Sequence, residues 1–213
     1  MKKTKKKSTW IHSFCALPEN EFLCEVDKSF IEDDFNLYGL STTVNYFSEC
    51  LNTILQIPQQ TIYPLEIQNE IGVETKKLYG LVHARYIVTP AGLDKMIQKY
   101  QNTDFGVCIC VKCNEHPLLP IGLFDVFGKS KVKFYCPCCN DTYNVPRAFP
   151  SYILDGAYFG TTFANLLLMQ IDEHPKNEFN YVPRIFGFQV APAHYVRPTE
   201  YKDFFGRKSF FHC

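Results

Sequence analysis

The stretch Asp104–Cys113, DFGVCICVKC, decides how this chain is to be read. Its first three residues spell the magnesium-binding triplet of protein kinases, while its last six bring thiols at metal-ligand spacing. A phosphoryl-transfer site also needs a glycine-rich loop, a strand lysine, a His-Arg-Asp loop with its Asn and a downstream Ala-Pro-Glu. The chain has none of these. The triplet is therefore coincidental, and the cysteines carry the meaning.

Six of the ten cysteines crowd into residues 108–139. Cys108-x4-Cys113 and Cys136-x2-Cys139 form two thiol pairs separated by 22 residues. Zinc takes four tetrahedral thiolates, and two hairpin-borne pairs supply them without strain. Cys110-x2-Cys113 has the commoner spacing, with Cys138 and His116 as spare donors. Spacing selects Cys113, Cys136 and Cys139 and leaves Cys108 against Cys110 open. The bland alternative, six merely buried thiols, sits poorly with such pairing. A four-thiolate shell leaves no position for water, so the metal would be structural, supplying folding energy to a module short of core. Cys15, Cys24, Cys50 and Cys213 stand apart and read as core or inert surface.

Working outward, the residues before 104 read as helices. LSTTVNYFSECLNTILQI puts Val44, Phe47, Leu51, Ile54 and Leu55 on one face, which predicts a helix of about four turns from near residue 42, capped by Ser41 or Thr42. A second pattern follows the loop at Pro58–Pro64, with Ile67, Ile71, Leu78, Leu81 and Val82 apolar, weakened by Gly72 and Gly80. In TPAGLDKMIQKYQ, Thr89 is a cap, Pro90 takes the first helical position, and Leu93, Met96, Ile97 and Tyr100 are buried. After residue 105, VKFYC and DTYNV read as short strands, and TTFANLLLMQI as a helix. VPRIFGFQV alternates Ile185, Gly187 and Gln189 against Phe186, Phe188 and Val190, as an extended strand does. The stretch GLFDVFGKS only mimics a phosphate-binding loop: five residues separate its glycines where four are required, and Gly128 reads as a turn.

Composition narrows the classes. With 46% hydrophobic residues, 19 Phe and 13 Tyr the chain has ample core material, and its formal net charge is zero. The charge is unevenly placed: five lysines lie within residues 1–10, and Glu19, Glu21, Glu25, Asp27, Glu32, Asp33 and Asp34 oppose only Lys28. The lysines read as a solvated tail, the acids as a solvated helix face or a dock for basic peptides. No apolar run of membrane length and no signal core appear, which predicts an intracellular protein without membrane contact. Six scattered histidines and no carboxylate pair outside the acidic segment predict no catalytic site. A zinc-ribbon nucleic-acid-binding protein is the rival reading. Only Lys129, Lys131 and Lys133 lie between the cysteine pairs, so a nucleic-acid partner is disfavoured.

These residues together resemble the regulatory (beta) subunit of casein kinase II over roughly residues 10–195. The likeness is carried by FLCEVDKSFIEDDFNLYGL, LYGLVHARYIVT, the cysteine signature running into LLPIG, VKFYCPCC, DGAYFG and VPRIFGF. The resemblance implies zinc ligands at Cys108, Cys113, Cys136 and Cys139, leaving Cys110 and Cys138 as extra thiols. It implies a homodimer made through the zinc module, and a holoenzyme tetramer with two catalytic (alpha) subunits. Each catalytic subunit would be docked on a hairpin formed by Arg184, Ile185, Phe186, Gly187, Phe188 and Val190. It also implies an acidic docking segment at Glu32, Asp33 and Asp34, and a place in nucleus and cytoplasm. Two departures stand out. The family's acidic loop is here QIPQQTIYPLE, and its N-terminal serine and acid run is here MKKTKKKS, a poor context at Thr4 and Ser8 for an acid-directed kinase.

The expected fold is α+β: a helical N-terminal lobe, a zinc-ribbon-like β lobe and an extended C-terminal tail. The expected divisions are a basic tail at 1–9, a helical lobe with the acidic segment at 10–103, a zinc-binding dimerisation lobe at 104–178, and a partner-binding segment with its tail at 179–213.

Overall fold

The structure, a computed structural model, describes residues 8–59, 61–173 and 184–190, with the backbone of 200–202 and 208–210. It has two compact units, Met1–Glu178 and Phe179–Cys213. The lysine tail through Lys7, Thr4 included, and Cys213 lie outside the described residues.

The first unit opens with short helices, α1 (Trp10–Cys15), α2 (Lys28–Ile31) and α3 (Asp34–Leu37), followed by α4 (Phe47–Leu55), α5 (Leu65–Tyr86) and α6 (Pro90–Gln101). Thr9 caps α1 by accepting from the His12 N–H, and Asp33 caps α3 by accepting from the Phe35 N–H at 3.0 Å. Thr89 caps α6, accepting from the Gly92 N–H at 3.2 Å, with Pro90 at the first position where a missing N–H costs nothing.

The helix expected from residue 42 begins at Phe47. Leu40–Thr42 form a separate 3-10 turn, and Tyr46 sits in the left-handed region at φ 52°, which breaks any continuous helix. Val44 is buried all the same, by the turn rather than by a helical face.

Beyond α6 lies a three-stranded antiparallel sheet in the order β1 (Leu119–Ile121), β2 (Lys133–Cys136), β3 (Asp141–Asn144). Its register pairs Leu119 with Tyr135 and Cys136 with Asp141. Helix α7 (Phe163–Gln170) packs on β1 and α6. One core runs through both parts of this unit, from Phe14, Phe22 and Tyr79 through Met96 and Phe105 to Phe134, Phe159 and Leu167.

Buried polar groups in that core are paired. Tyr79 Oη donates to Cys24 O at 2.9 Å and accepts from the Val26 N–H at 3.1 Å. His83 Nδ1 donates to Tyr158 O at 2.8 Å while its Nε2 accepts from the Cys24 N–H at 3.1 Å. Both bonds exist together only in the neutral imidazole, and burial holds its pKa down at about 4. Asp27 accepts from Tyr86 Oη and from Lys95 Nζ, both at 2.7 Å, which ties the acidic segment to α5 and α6.

In the second unit, β4 (Arg184–Ile185) pairs antiparallel with β5 (Phe188–Gln189), and β6 (Glu200–Lys202) with β7 (Lys208–Phe210). The alternation read across 185–190 is thus interrupted by a turn, and the segment has the hairpin form that the family resemblance implies. Phe186 and Gly187 form its two-residue loop at φ 49° and 85°, the left-handed pair of a type I′ turn, which follows the twist of the flanking strands.

Candidate metal centre and exposed hairpin

The first cysteine knuckle follows α6. A bridge between Val107 and Pro117 closes it, with the Cys108 N–H donating to His116 O at 2.8 Å. The chain reverses through a 3-10 turn at Val111–Cys113 and left-handed Asn114 and Glu115. The second knuckle hangs on the sheet: Cys136 ends β2, and Cys139 lies in the turn to β3. Because β1 and β3 flank β2, the sheet brings the two knuckles together.

The sulfurs of Cys108, Cys113, Cys136 and Cys139 all lie within 4.8 Å of one another. Cys108 and Cys139 are 3.8 Å apart, and Cys136 and Cys113 are 3.9 Å apart. Four thiolates about 2.3 Å from a central tetrahedral zinc would stand about 3.8 Å apart. The donor set and spacing therefore fit such an ion. Three of the four residues are buried and the fourth is half-buried, so the shell is nearly closed to solvent.

N–H and O–H donors point at these sulfurs, as a thiolate shell requires. The Cys110 N–H reaches Cys108 Sγ at 3.4 Å, and the Tyr143 hydroxyl lies 3.2 Å from Cys139 Sγ. Without a metal, burial pushes the Cys136 thiol up to about 12, against the pull of the Cys138 and Cys139 backbone N–H groups. At Cys139 burial also acts upward, but the Tyr143 hydroxyl and the neighbouring thiols outweigh it and its pKa falls below the ordinary thiol value. Metal binding must displace these protons and so strengthens as pH rises.

The other donors lie elsewhere. His116 Nε2 lies 2.9 Å from Glu173 and 3.1 Å from the Tyr100 hydroxyl. Cys110 and Cys138 are half-buried and outside the four-sulfur group. Cys24 and Cys50 are buried in the helical core and Cys15 is half-buried. Asp104 of the kinase-like triplet pairs with Lys99 at 3.2 Å, and Phe105 is fully buried. Lys131 sits over the Tyr152 ring and Lys133 bonds Asn144.

Three surfaces stand out. Beside the first knuckle Val107, Ile109 and Val111 alternate outward, with Val111 96% exposed. On the hairpin, Phe186 and Phe188 are 97% and 79% exposed, with Ile185 exposed beside them and Arg184 Nη1 donating to Gly187 O. Glu32, Asp33 and Asp34 are exposed too, next to Phe35 and Tyr38, each 84% exposed. Sequence reading missed Tyr143, which only the β2–β3 register brings to the cysteines. It also missed the Val107, Ile109 and Val111 face, whose signal was its alternation with Cys108 and Cys110. Among the described residues no helix is long and apolar enough to cross a membrane.

Residues 9–189 match the family described as casein kinase II regulatory subunit. The chain is 47% identical over 198 residues to the casein kinase II subunit beta of Schizosaccharomyces pombe, covering 91% of this chain and 85% of that one. It is 41% identical to the subunit beta' of Drosophila melanogaster, covering 91% and 89%. It is 42% identical to a Suppressor-of-stellate-like protein of the same fly, covering 85% and 78%. On the strength of these matches, the chain belongs to the casein kinase II regulatory subunit family.

Proposed function

We propose that this chain is a non-catalytic regulatory scaffold that binds and stabilises the catalytic subunit of casein kinase II and modulates which protein substrates it takes. The observation that carries this reading is the hairpin, which turns Phe186 and Phe188 out to solvent on a tight loop. A large apolar side chain buried in a partner's groove gains about 1.5–3 kcal/mol, so two aromatics are sufficient anchors. We further assign one structural Zn2+ to Cys108, Cys113, Cys136 and Cys139, and homodimerisation to the apolar Val107, Ile109 and Val111 face next to it. The exposed Glu32, Asp33 and Asp34, with Phe35 and Tyr38 beside them, suit basic substrate segments, an attraction that weakens with salt. Action in both nucleus and cytoplasm is part of this reading.

The test is binding of the zinc-loaded full chain to a casein kinase II catalytic subunit, wild type against Phe186→Ala/Phe188→Ala. Tight binding lost in the double variant supports the assignment. A dimeric, zinc-replete wild type that fails to bind its own organism's catalytic subunit refutes it.

A further inference from the structure

We propose that Cys110 is an oxidation site which, on reaction with hydrogen peroxide, forms a disulfide with Cys113 and withdraws that ligand from the metal centre. The inference rests on the zinc assignment above. Six thiols are gathered where four suffice: beside the four-sulfur group Cys110 and Cys138 are half-buried thiols left over, each within three residues of two of its members.

Of the two surplus thiols, the backbone favours Cys110. The turn Cys110–Cys113 is closed by the Cys113 N–H donating to Cys110 O at 2.9 Å. The first and fourth residues of such a turn have Cα atoms within about 7 Å, and a disulfide spans about 4.4–6.8 Å. The two Cα atoms therefore stand within the reach of a disulfide. Cys138 follows Pro137 on the other knuckle and shares no turn with Cys113. Access does not separate the two surplus thiols, since Cys110 and Cys138 are both half-buried, but it separates them from the ligand, because Cys113 is 5% exposed.

The chemistry balances with peroxide as the only oxidant. The Cys110 sulfur attacks one peroxide oxygen, the O–O bond breaks, and the departing hydroxide takes the thiol proton to leave as water, giving a sulfenic acid. The Cys113 sulfur then attacks the Cys110 sulfur, the S–S bond forms, and the S–O bond breaks with loss of hydroxide, which is protonated to a second water. Two thiols lose two electrons and the peroxide gains them. Three thiolates remain, and the shell that closed the two knuckles on each other is open.

The experiment uses the full chain, purified from zinc-replete medium and checked by metal analysis. Wild type, Cys110→Ser and Cys138→Ser are exposed to hydrogen peroxide, with released zinc read by a chromogenic chelator and disulfides mapped by peptide mass spectrometry. Wild type and Cys138→Ser should release their zinc with a Cys110–Cys113 disulfide, reversed by a dithiol, while Cys110→Ser retains its zinc over the same exposure. Release from Cys110→Ser at the wild-type rate, or a disulfide that maps to Cys138 instead, overturns the proposal. So does a Cys110→Ser chain that holds no zinc, since Cys110 would then be a ligand. Wild type purified without zinc overturns the metal assignment instead, and the disulfide map of that chain still tests the thiol pair.

Discussion

Phe22→Ala should weaken the whole first unit and its metal centre together. Phe22 is fully buried, with ring centroids 5.8 Å from Phe105, 5.4 Å from Phe134 and 5.7 Å from Phe149. Phe105 leads into Cys108 and Phe134 into Cys136, so this one ring, contributed from near the N-terminus, backs both knuckles. Truncating a core Phe costs about 3–5 kcal/mol, and three ring contacts put this site toward the upper end. Where metal binding and folding are one process, a loss of about 4 kcal/mol is about a thousandfold in apparent zinc affinity. Urea unfolding of the zinc-loaded chain gives the first number and competition with a chelator gives the second. A stability loss below about 1 kcal/mol would refute the packing argument. Unchanged zinc affinity in a destabilised chain would refute the coupling and give the zinc module a core of its own.

Other outcomes follow from single contacts. His83 is neutral when folded, with a pKa of about 4 set by burial against an ordinary 6.5. As pH falls the unfolded chain takes up the proton first, so stability should drop by about 3 kcal/mol between pH 6.5 and 4; an NMR titration showing His83 protonating near 6.5 in the folded protein contradicts this. The two glycines of α5 should respond in opposite directions. A Cβ at Gly72 meets nothing within 4 Å, so Gly72→Ala should stabilise by about 0.4–1 kcal/mol, whereas a Cβ at Gly80 lies 2.3 Å from the Tyr158 ring, and Gly80→Ala should cost about 1–3 kcal/mol. Thermal unfolding of both variants decides it, and a Gly80→Ala chain more stable than wild type is the adverse result. Removing the metal with a chelator should abolish amide-exchange protection across β2 and β3, since apparent zinc-binding energies of about 10–16 kcal/mol exceed what so small a sheet gains by burial; an apo chain that keeps this protection shows the metal to be dispensable.

Much of this protein could be read from local pattern. The α6 cap and its proline, the β2 and β3 strands and α7 all follow from short-range rules in which each residue's neighbours decide its conformation. The cysteine pairs announced a metal site for the same reason, since a knuckle is a local object. Local pattern failed where a distant contact or a single backbone angle decides. The apolar face at Val44–Leu55 is split by Tyr46 in the left-handed region, and the apparent strand at 185–190 is folded back by Phe186 and Gly187. Cys108 against Cys110 was undecidable by spacing, because both can reach a sulfur shell in isolation. The four-sulfur geometry that includes Cys108 comes from the antiparallel sheet that carries Cys136 and Cys139 up to the first knuckle. Which residues pair with metal-ligand spacing is written in the chain; which four sulfurs meet within 4.8 Å of one another, and which aromatics back them, depends on how strands far apart in sequence come into register.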